Sequence, residues 1–420
     1  MLLSLLWIAM PSLLFINQHY HPDFASTGQH LTDLAEHLVD DGFDVSILCS
    51  RGRYLAGEMD VPAEEVHNGV HIRRVRATSF GRDTHVGRIA DYGSFYMHVL
   101  RHLLFGPSYD AVVTLTTPPL LCVAGAIGRT LRGQRYGIWS MDLHPDAEEA
   151  VGLIEPEGWL SRVLHRLNDW GYQKADFIVD LGAYMKQRIV NKGVPSSRLH
   201  TIPVWNKKDE VYPIPREENP LVKELGLEDK FVVMYSGNAG IGHRFDEVLE
   251  AMDALRDHPD IYFLFVGSGP QKERIEAFAK QHALTNFDYL PYFPREQIKY
   301  SLTIAHVHLL TLQTKMSGIA VPGKLYGILA SGRPVLMVGP EASEPGQTIQ
   351  NNDVGHVVDP KGKETTQQFV DYVLALYEDD TGREAMGAHG RTLFLNRFEQ
   401  EVACDIWSDY LQTTVGSVRS

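Results

Sequence analysis

Cysteine is scarce: Cys49, Cys122 and Cys404 are the only three in 420 residues. They lie far apart, so they give neither a metal-ligand spacing nor a disulfide framework, and the chain reads as one with reduced, buried thiols. Positive charge is also in short supply. Lysine and arginine number 39 against 53 acids, for a net charge of −14. That argues against a protein whose main task is binding nucleic acid, while leaving room for a local basic pocket. No D-x-D triplet occurs, so a carboxylate-held divalent metal is unsupported and none is expected. No G-x-G-x-x-G follows the first strand, which argues against a nicotinamide oxidoreductase. Low-complexity tracts and short repeats are absent. Charge is missing altogether from the first sixteen residues. A secretory signal would begin with positive charge, and a spanning helix needs roughly 20 apolar residues. We read Met1 to Ala9 as an apolar extension, with the fold beginning near Met10 and the extension suited to weak, peripheral membrane contact.

What is present is alternation. Hydrophobic residues make up 44% of the chain and charged residues 22%, in a length suited to two ordinary domains. SLLFIN reads as a first buried strand. The helical stretch after it sets Leu31, Leu34, Ala35 and Leu38 on one face and ends at Gly42. DVSILCS, GVHIRRVRA, DAVVTLT, RYGIWS, DFIVDL and RLHTIPV continue the series. Between Pro203 and Pro220 a polar stretch with four prolines interrupts it, and the alternation restarts at FVVMYSG. Continuous apolar strands separated by helices predict parallel sheets covered on both faces. The expected fold is therefore α/β, with two doubly wound Rossmann-like domains facing across a cleft. The first domain is placed at 1–205, a linker at 206–220, the second domain at 221–395, and a terminal helix at 396–420, packing back on the first. Ligands of such sheets sit beyond the carboxyl ends of strands, so the loops after strands hold the candidates.

The loop SGNAGIGHRF opens the second half. Gly237, Gly240 and Gly242 permit a tight turn, and a helix from about Arg244 offers free amides and a positive dipole end. Asn238, Gly240, His243 and Arg244 are candidates for a phosphate, the two basic residues adding charge; the plainer reading is a glycine-rich strand-to-helix turn. FVGSGPQKERIE, with Gly267 and Gly269, reads as a compact turn. Tyr292 and Phe293 in PYFPREQI suit a flat base or, equally, a buried aromatic corner. In VPGKLYGILASGRPVL, Pro322 can open a helix. Lys324 in its first turn opposes the helix dipole, so either a nearby anion or simple solvation must account for it. In the first half, Ser26, Thr27 and Gly28 sit at a helix start after strand one. Asp142 and His144 follow a strand in MDLHPD, where they can bond a substrate hydroxyl or cap a helix.

In this order, FINQHYHPDFASTGQHLTDLAEHL, MDLHPD, MYSGNAGIGHRFDEVLEAM, FLFVGSGP, VPGKLYGILASGRPVL and DVGHVVDP resemble the glycosyltransferases of family 4, with the GT-B fold. The resemblance covers nearly the whole chain and is greatest to the bacterial branch acting in surface polysaccharide and O-antigen assembly. That branch shows Pro-Ser-Lys and then Ala-x-Gly-x-Pro; here stand Pro322-Gly323-Lys324 and Ala330-Ser331-Gly332-Arg333-Pro334. The resemblance implies a retaining transfer of a hexose-type sugar from a nucleotide sugar, UDP- or GDP-linked, to a glycan or lipid-linked saccharide, with no cofactor and no metal. It puts the nucleoside near Tyr292, Phe293 and Gly327. It puts the diphosphate at Gly28, Asn238, Gly240, His243, Arg244 and Lys324. The acceptor falls beside Ser26 and Thr27, with Asp142 and His144 as the catalytic pair. It also implies a cytoplasmic enzyme, peripheral at the inner face of the plasma membrane.

The sequence departs from the common pattern at four of these positions. A spaced pair of glutamates in relatives aligns with Ile319 and Gly327, and the arginine and lysine of their phosphate loop align with Asn238 and His243. Phosphate and ribose must therefore be held differently. A nucleotide-sugar epimerase and a non-catalytic nucleotide-sugar-binding protein are the alternatives. The first lacks a clear acid–base set, and the second is suggested by the missing glutamates.

Overall fold

The computed structural model of the chain describes residues 11–52, 59–78, 85–362 and 364–416. The apolar extension Met1 to Ala9 lies outside them. The chain divides into two units, Met1–Pro203 with Ala403–Ser420, and Val204–Val402.

The first unit is built on β1 (Ser12–Ile16), β2 (Asp44–Ser50), β3 (Glu64–His67), β4 (Val70–Val75), β5 (Ala111–Thr114), β6 (Tyr136–Trp139), β7 (Phe177–Asp180) and β8 (Leu199–Thr201). Among the described residues they form one sheet in the order β3-β4-β2-β1-β5-β6-β7-β8. All neighbours run parallel except β3 and β4. The residues of β5, β6 and β7 are buried throughout, as strands covered on both faces must be. Strand β4 alternates buried and exposed, as GVHIRRVRA suggests. Strand β3 was not anticipated. It pairs with β4 through Asn68 (φ 46°) and Gly69 (φ 80°), the left-handed pair that a two-residue hairpin turn requires.

Helix Ser26–Asp40 buries Leu31, Leu34, Ala35 and Leu38. On the sheet, helices His85–Phe105, Leu121–Arg132 and Trp159–Lys174 pack side by side. From Ala403 onward the last helix, Gln400–Gly416, belongs to this unit. Its Trp407 meets Trp139 edge-on at 4.9 Å and its Tyr410 stacks on His200 at 4.2 Å. All three cysteines are buried.

The second unit contains β9 (Phe231–Asn238), β10 (Ile261–Ser268), β11 (Phe287–Leu290), β12 (Val307–Thr311), β13 (Val335–Val338) and β14 (Gly355–Val358). Among the described residues these make a wholly parallel sheet, β11-β10-β9-β12-β13-β14. This is the doubly wound order, with its reversal of direction between β9 and β12. The proline-rich stretch 206–220 is bound to this unit rather than strung loosely beside it. Its prolines lack donors, and arginines take up carbonyls of the same stretch. Arg333 donates to Ile214 O at 3.0 Å and Arg391 to Val211 O at 2.9 Å. Arg216, from within the stretch, donates to Leu227 O at 2.6 Å.

Candidate functional site

The reversal between β9 and β12 puts the loops that follow them beside each other at the carboxyl edge of the second sheet. Side chains lace these loops together. The Gln313 side chain donates to Ile241 O at 2.7 Å, and its backbone N–H to Gly242 O at 2.9 Å. From the neighbouring loop after β10, Gln271 donates to Gly240 O at 2.7 Å and to His243 O at 3.0 Å. Neither glutamine stands out in the sequence, because each is recognisable only by its distant partner.

Lys324 stands at the centre of this arrangement. It is the first residue of helix Lys324–Ala330, with Gly323 as N-cap, so Pro322 lies ahead of the helix rather than opening it. Its Nζ donates to Asn238 O at 3.0 Å, to His243 Nε2 at 3.0 Å and to the Tyr235 hydroxyl, and it sits 4.3 Å from the centre of the Tyr235 ring. All three partners are neutral. Burial without a compensating anion pushes the ammonium down to about 7. Gly237 makes the approach possible: its φ is +132°, and a Cβ there would fall 2.4 Å from Lys324 Cε.

His243 has a different part from the one its charge suggested. Its Nδ1 lies 2.7 Å from the Thr311 carbonyl. A carbonyl only accepts, so Nδ1 carries the proton and Nε2 is left to accept from Lys324. Burial, and then the charge of Lys324, push this imidazole down to about 4. It is a neutral prop for the lysine. Arg244 is likewise engaged, its Nε bonded to both carboxylate oxygens of Glu247 at 2.6 and 2.8 Å. The helix that follows begins at Asp246, with Asp246 and Glu247 in its first turn, so its dipole is already met by its own acids.

Tyr292 and Phe293 part company. Tyr292 is 54% exposed and borders Gly267, while Phe293 packs against the cluster around Leu264 and Val266. Gly327 is buried, and a Cβ there would lie 3.2 Å from Asn206 Nδ2. Ile319 is a core residue. An acid at either position would therefore be buried.

In the first unit, Asn17 Nδ2 donates to His19 O at 2.7 Å and to Thr27 Oγ1 at 3.3 Å. Ser26, Thr27 and Gly28 form the first turn of their helix. Gly28 is a glycine because the His19 carbonyl presses on it, 3.1 Å from where a Cβ would stand. A buried pair, His19 and Asp23, joins at 2.8 Å within this loop. The loop after β5 ties it to the one after β6: Gln18 N–H donates to Thr117 O at 2.9 Å, and Asp142 N–H to Thr116 Oγ1 at 3.2 Å. Asp142 caps no helix, since the next begins at Asp146 with Pro145 ahead of it. Burial raises its carboxyl. His144 Nδ1 lies 2.8 Å from Glu148 Oε1. Burial alone would lower this imidazole, but the bond to Glu148 and the surrounding carboxylates outweigh it, and its pKa is raised. Glu148 was not singled out in the sequence, although its i,i+4 spacing from His144 is readable there. Among the described residues no group of three or more histidines, cysteines or acids gathers as a metal site.

Comparison with known proteins bears on both halves. Residues 27–205 match the family model of the glycosyl transferase 4-like domain, and residues 218–393 that of the glycosyl transferases group 1. The chain is 25% identical over 267 residues to a Pseudomonas aeruginosa protein named as glycosyltransferase WbjE, covering 64% of this chain and 66% of that one. It is 23% identical over 379 residues to WcaI of Escherichia coli K12, named as a colanic acid biosynthesis glycosyl transferase, covering 86% of this chain and 92% of that one. The structure of Anabaena Alr3699/HepE in complex with UDP and glucose superposes with a TM-score of 0.70 at 13% identity, over 96% of this chain and 100% of that one. That likeness shows a shared fold.

Proposed function

This chain belongs to the glycosyltransferases of the GT-B fold, and on that premise we propose that it is a retaining enzyme moving a hexose-type sugar from a UDP- or GDP-linked donor to a glycan or lipid-linked saccharide. The observation that carries this reading is Lys324 at the sheet's reversal point, held by three neutral acceptors and with no anion among its described partners. A nucleoside diphosphate fits that need, because its charge grows on the leaving oxygens as the glycosidic bond breaks. HepE, whose structure is described with UDP and glucose, and WcaI, named for colanic acid biosynthesis, support the donor and acceptor classes.

In this reading Lys324 and the backbone at Asn238 and Gly240 hold the diphosphate, with Arg244 at its margin. His243 positions the lysine. Tyr292 offers its exposed ring to the base, with Phe293 and Gly327 behind it. The acceptor lies along Ser26 and Thr27, where Asp142 and His144 orient its hydroxyl. The acceptor oxygen bonds to the anomeric carbon on the face the diphosphate leaves, and its proton passes to the departing phosphate oxygen. The chain's own residues supply this chemistry without metal or cofactor. A lipid-linked acceptor would bring a cytoplasmic enzyme to the inner membrane face.

The test is a thermal-shift screen against nucleotide sugars, followed by NMR of the product linkage. One donor should stabilise the fold and yield product of unchanged anomeric configuration. Inverted product would remove the retaining mechanism. Conversion of the donor alone, without acceptor, would favour an epimerase.

A further inference from the structure

A cavity of about 700 Å³ opens at the amino edge of the second sheet. His306 and Pro334, in its wall, come immediately before β12 and β13, and Arg216 bonds the carbonyl of Lys230, immediately before β9, at 3.3 Å. Lys324 stands at the opposite, carboxyl edge. Four arginines line the cavity: Arg216 from the proline-rich stretch, Arg333 from the turn before β13, and Arg383 and Arg391 from helix Asp380–Arg397. Two glycines bring them together. A Cβ on Gly387 would fall 2.2 Å from the Gly332 carbonyl oxygen, so helix and turn meet backbone to backbone. Arg333 follows the one glycine, and Arg383 and Arg391 stand about one helical turn to either side of the other. All four arginines are half-buried, whereas the acids of the wall, Glu217, Asp380 and Glu384, are exposed. The bases form the floor and the acids the rim.

Bonds to backbone carbonyls explain part of this set. Arg216 donates to Leu227 O and Ile304 O, Arg333 to Ile214 O and Thr303 O, and Arg391 to Val211 O and Ala330 O. They do not explain why so much like charge is gathered with so little to balance it. Arg383 pairs with Asp380; among the described residues the other three arginines have no carboxylate at ion-pair distance. Burial, and then Arg333 and Arg383, push Arg216 down to about 10. Arg333 Nε is buried without a hydrogen-bond partner. In the same wall, His306 Nδ1 accepts from Val232 N–H at 2.9 Å, which leaves the proton on Nε2, with no acceptor for it among the described residues. An oxyanion supplies what all these donors lack. Guanidinium forks match phosphate oxygens two at a time, and the volume is that of a small-molecule site. The exposed acids disfavour a polyanion and can accept from hydroxyls.

We propose that this cavity binds a small ligand through a single phosphate group, held by Arg216, Arg333 and Arg383 with the Nε2–H of His306, at a site separate from the donor diphosphate. The site does not depend on the transferase reading, and its test reads neither turnover nor nucleotide binding.

The experiment is calorimetric titration of inorganic phosphate and of glycerol phosphate, at neutral pH and low salt, into the full chain and three variants: Lys324→Met, Arg333→Gln and Glu217→Gln/Glu384→Gln. Wild type and Lys324→Met should bind both probes with equal affinity. Arg333→Gln should bind them at least about tenfold more weakly, and the rim variant should bind inorganic phosphate at least about threefold more tightly, since two like charges are gone. Tighter binding of glycerol phosphate than of phosphate identifies an ester as the occupant, and equal binding the free anion; both uphold the site. Thermal melts accompany the titrations. Should Arg333→Gln melt early for want of its carbonyl bonds, the rim variant, changed only at exposed side chains, still decides. No binding by wild type at millimolar phosphate, or an affinity that neither the floor nor the rim variant changes, would overturn the proposal. So would loss of binding in Lys324→Met, which would place the phosphate in the donor site.

Discussion

Lys324 Nζ lies 3.0 Å from Nε2 of His243, whose other ring nitrogen donates to the Thr311 carbonyl at 2.7 Å. The histidine therefore accepts from the lysine and cannot share its charge. A cation with only neutral partners is poised to exchange one of them for an anion, and its burial sets how the exchange depends on pH.

With its pKa pushed down to about 7, the free site is largely deprotonated at pH 8, whereas a bound diphosphate favours the ammonium. Nucleotide binding at pH 8 should take up close to one proton, and affinity should fall as pH rises above 7. Calorimetry in two buffers of different ionisation enthalpy reads the uptake directly. Zero uptake would mean that the lysine does not meet the phosphate.

The buried His308, pushed down to about 4, ties stability to pH in the second unit. Its folded pKa is below the unfolded value of about 6.5. Between those values the unfolded chain binds the extra proton, so stability falls as pH drops from 6.5 towards 4. The loss for this one group should be about 2 kcal/mol between pH 7 and pH 5. Urea midpoints measured across that range in wild type and His308→Gln check the prediction; the variant should show the shallower slope.

Gly237→Ala should destabilise the second unit by about 1–3 kcal/mol and displace Lys324, because its φ of +132° and the lysine stem at 2.4 Å both oppose a side chain. Gly240→Ala, whose nearest neighbour would be 3.5 Å away, should stay within about 0.5 kcal/mol. Equal costs at the two sites, read from denaturant curves, would contradict the packing described.

On the acceptor side, His144→Ala should lower kcat by about 10²-fold or more while nucleotide affinity stays as in wild type. Glu148→Gln should bring the His144 pKa back down, moving the limb of the pH–rate profile that it governs to lower pH. An unmoved limb would leave Glu148 with a structural part only.

The strands were legible because burial on both faces leaves unbroken apolar runs, as at β5, β6 and β7. Strand β3 has no such run, its residues being exposed or half-buried, and only the Asn68-Gly69 turn marks it. The candidate site was less accessible. Lys324 stood out by type and position, but its partners Tyr235 and His243 lie more than eighty residues earlier, and their pairing exists only once β9 and β12 are neighbours. Gly28 is legible as a glycine at a helix start, but the His19 carbonyl 3.1 Å from where its Cβ would stand is visible only in the fold. Helix Trp159–Lys174 is amphipathic in sequence, but periodicity does not say which face turns inward.

The most direct measurement is calorimetric titration of UDP and of GDP into wild type and Lys324→Met. The account predicts that wild type binds one of them and that the variant, melting at the wild-type temperature or above, binds it about 100-fold more weakly, the loss of about 2–3 kcal/mol expected for a charge-assisted bond to phosphate. Equal affinity in the folded variant would contradict a donor site centred on Lys324.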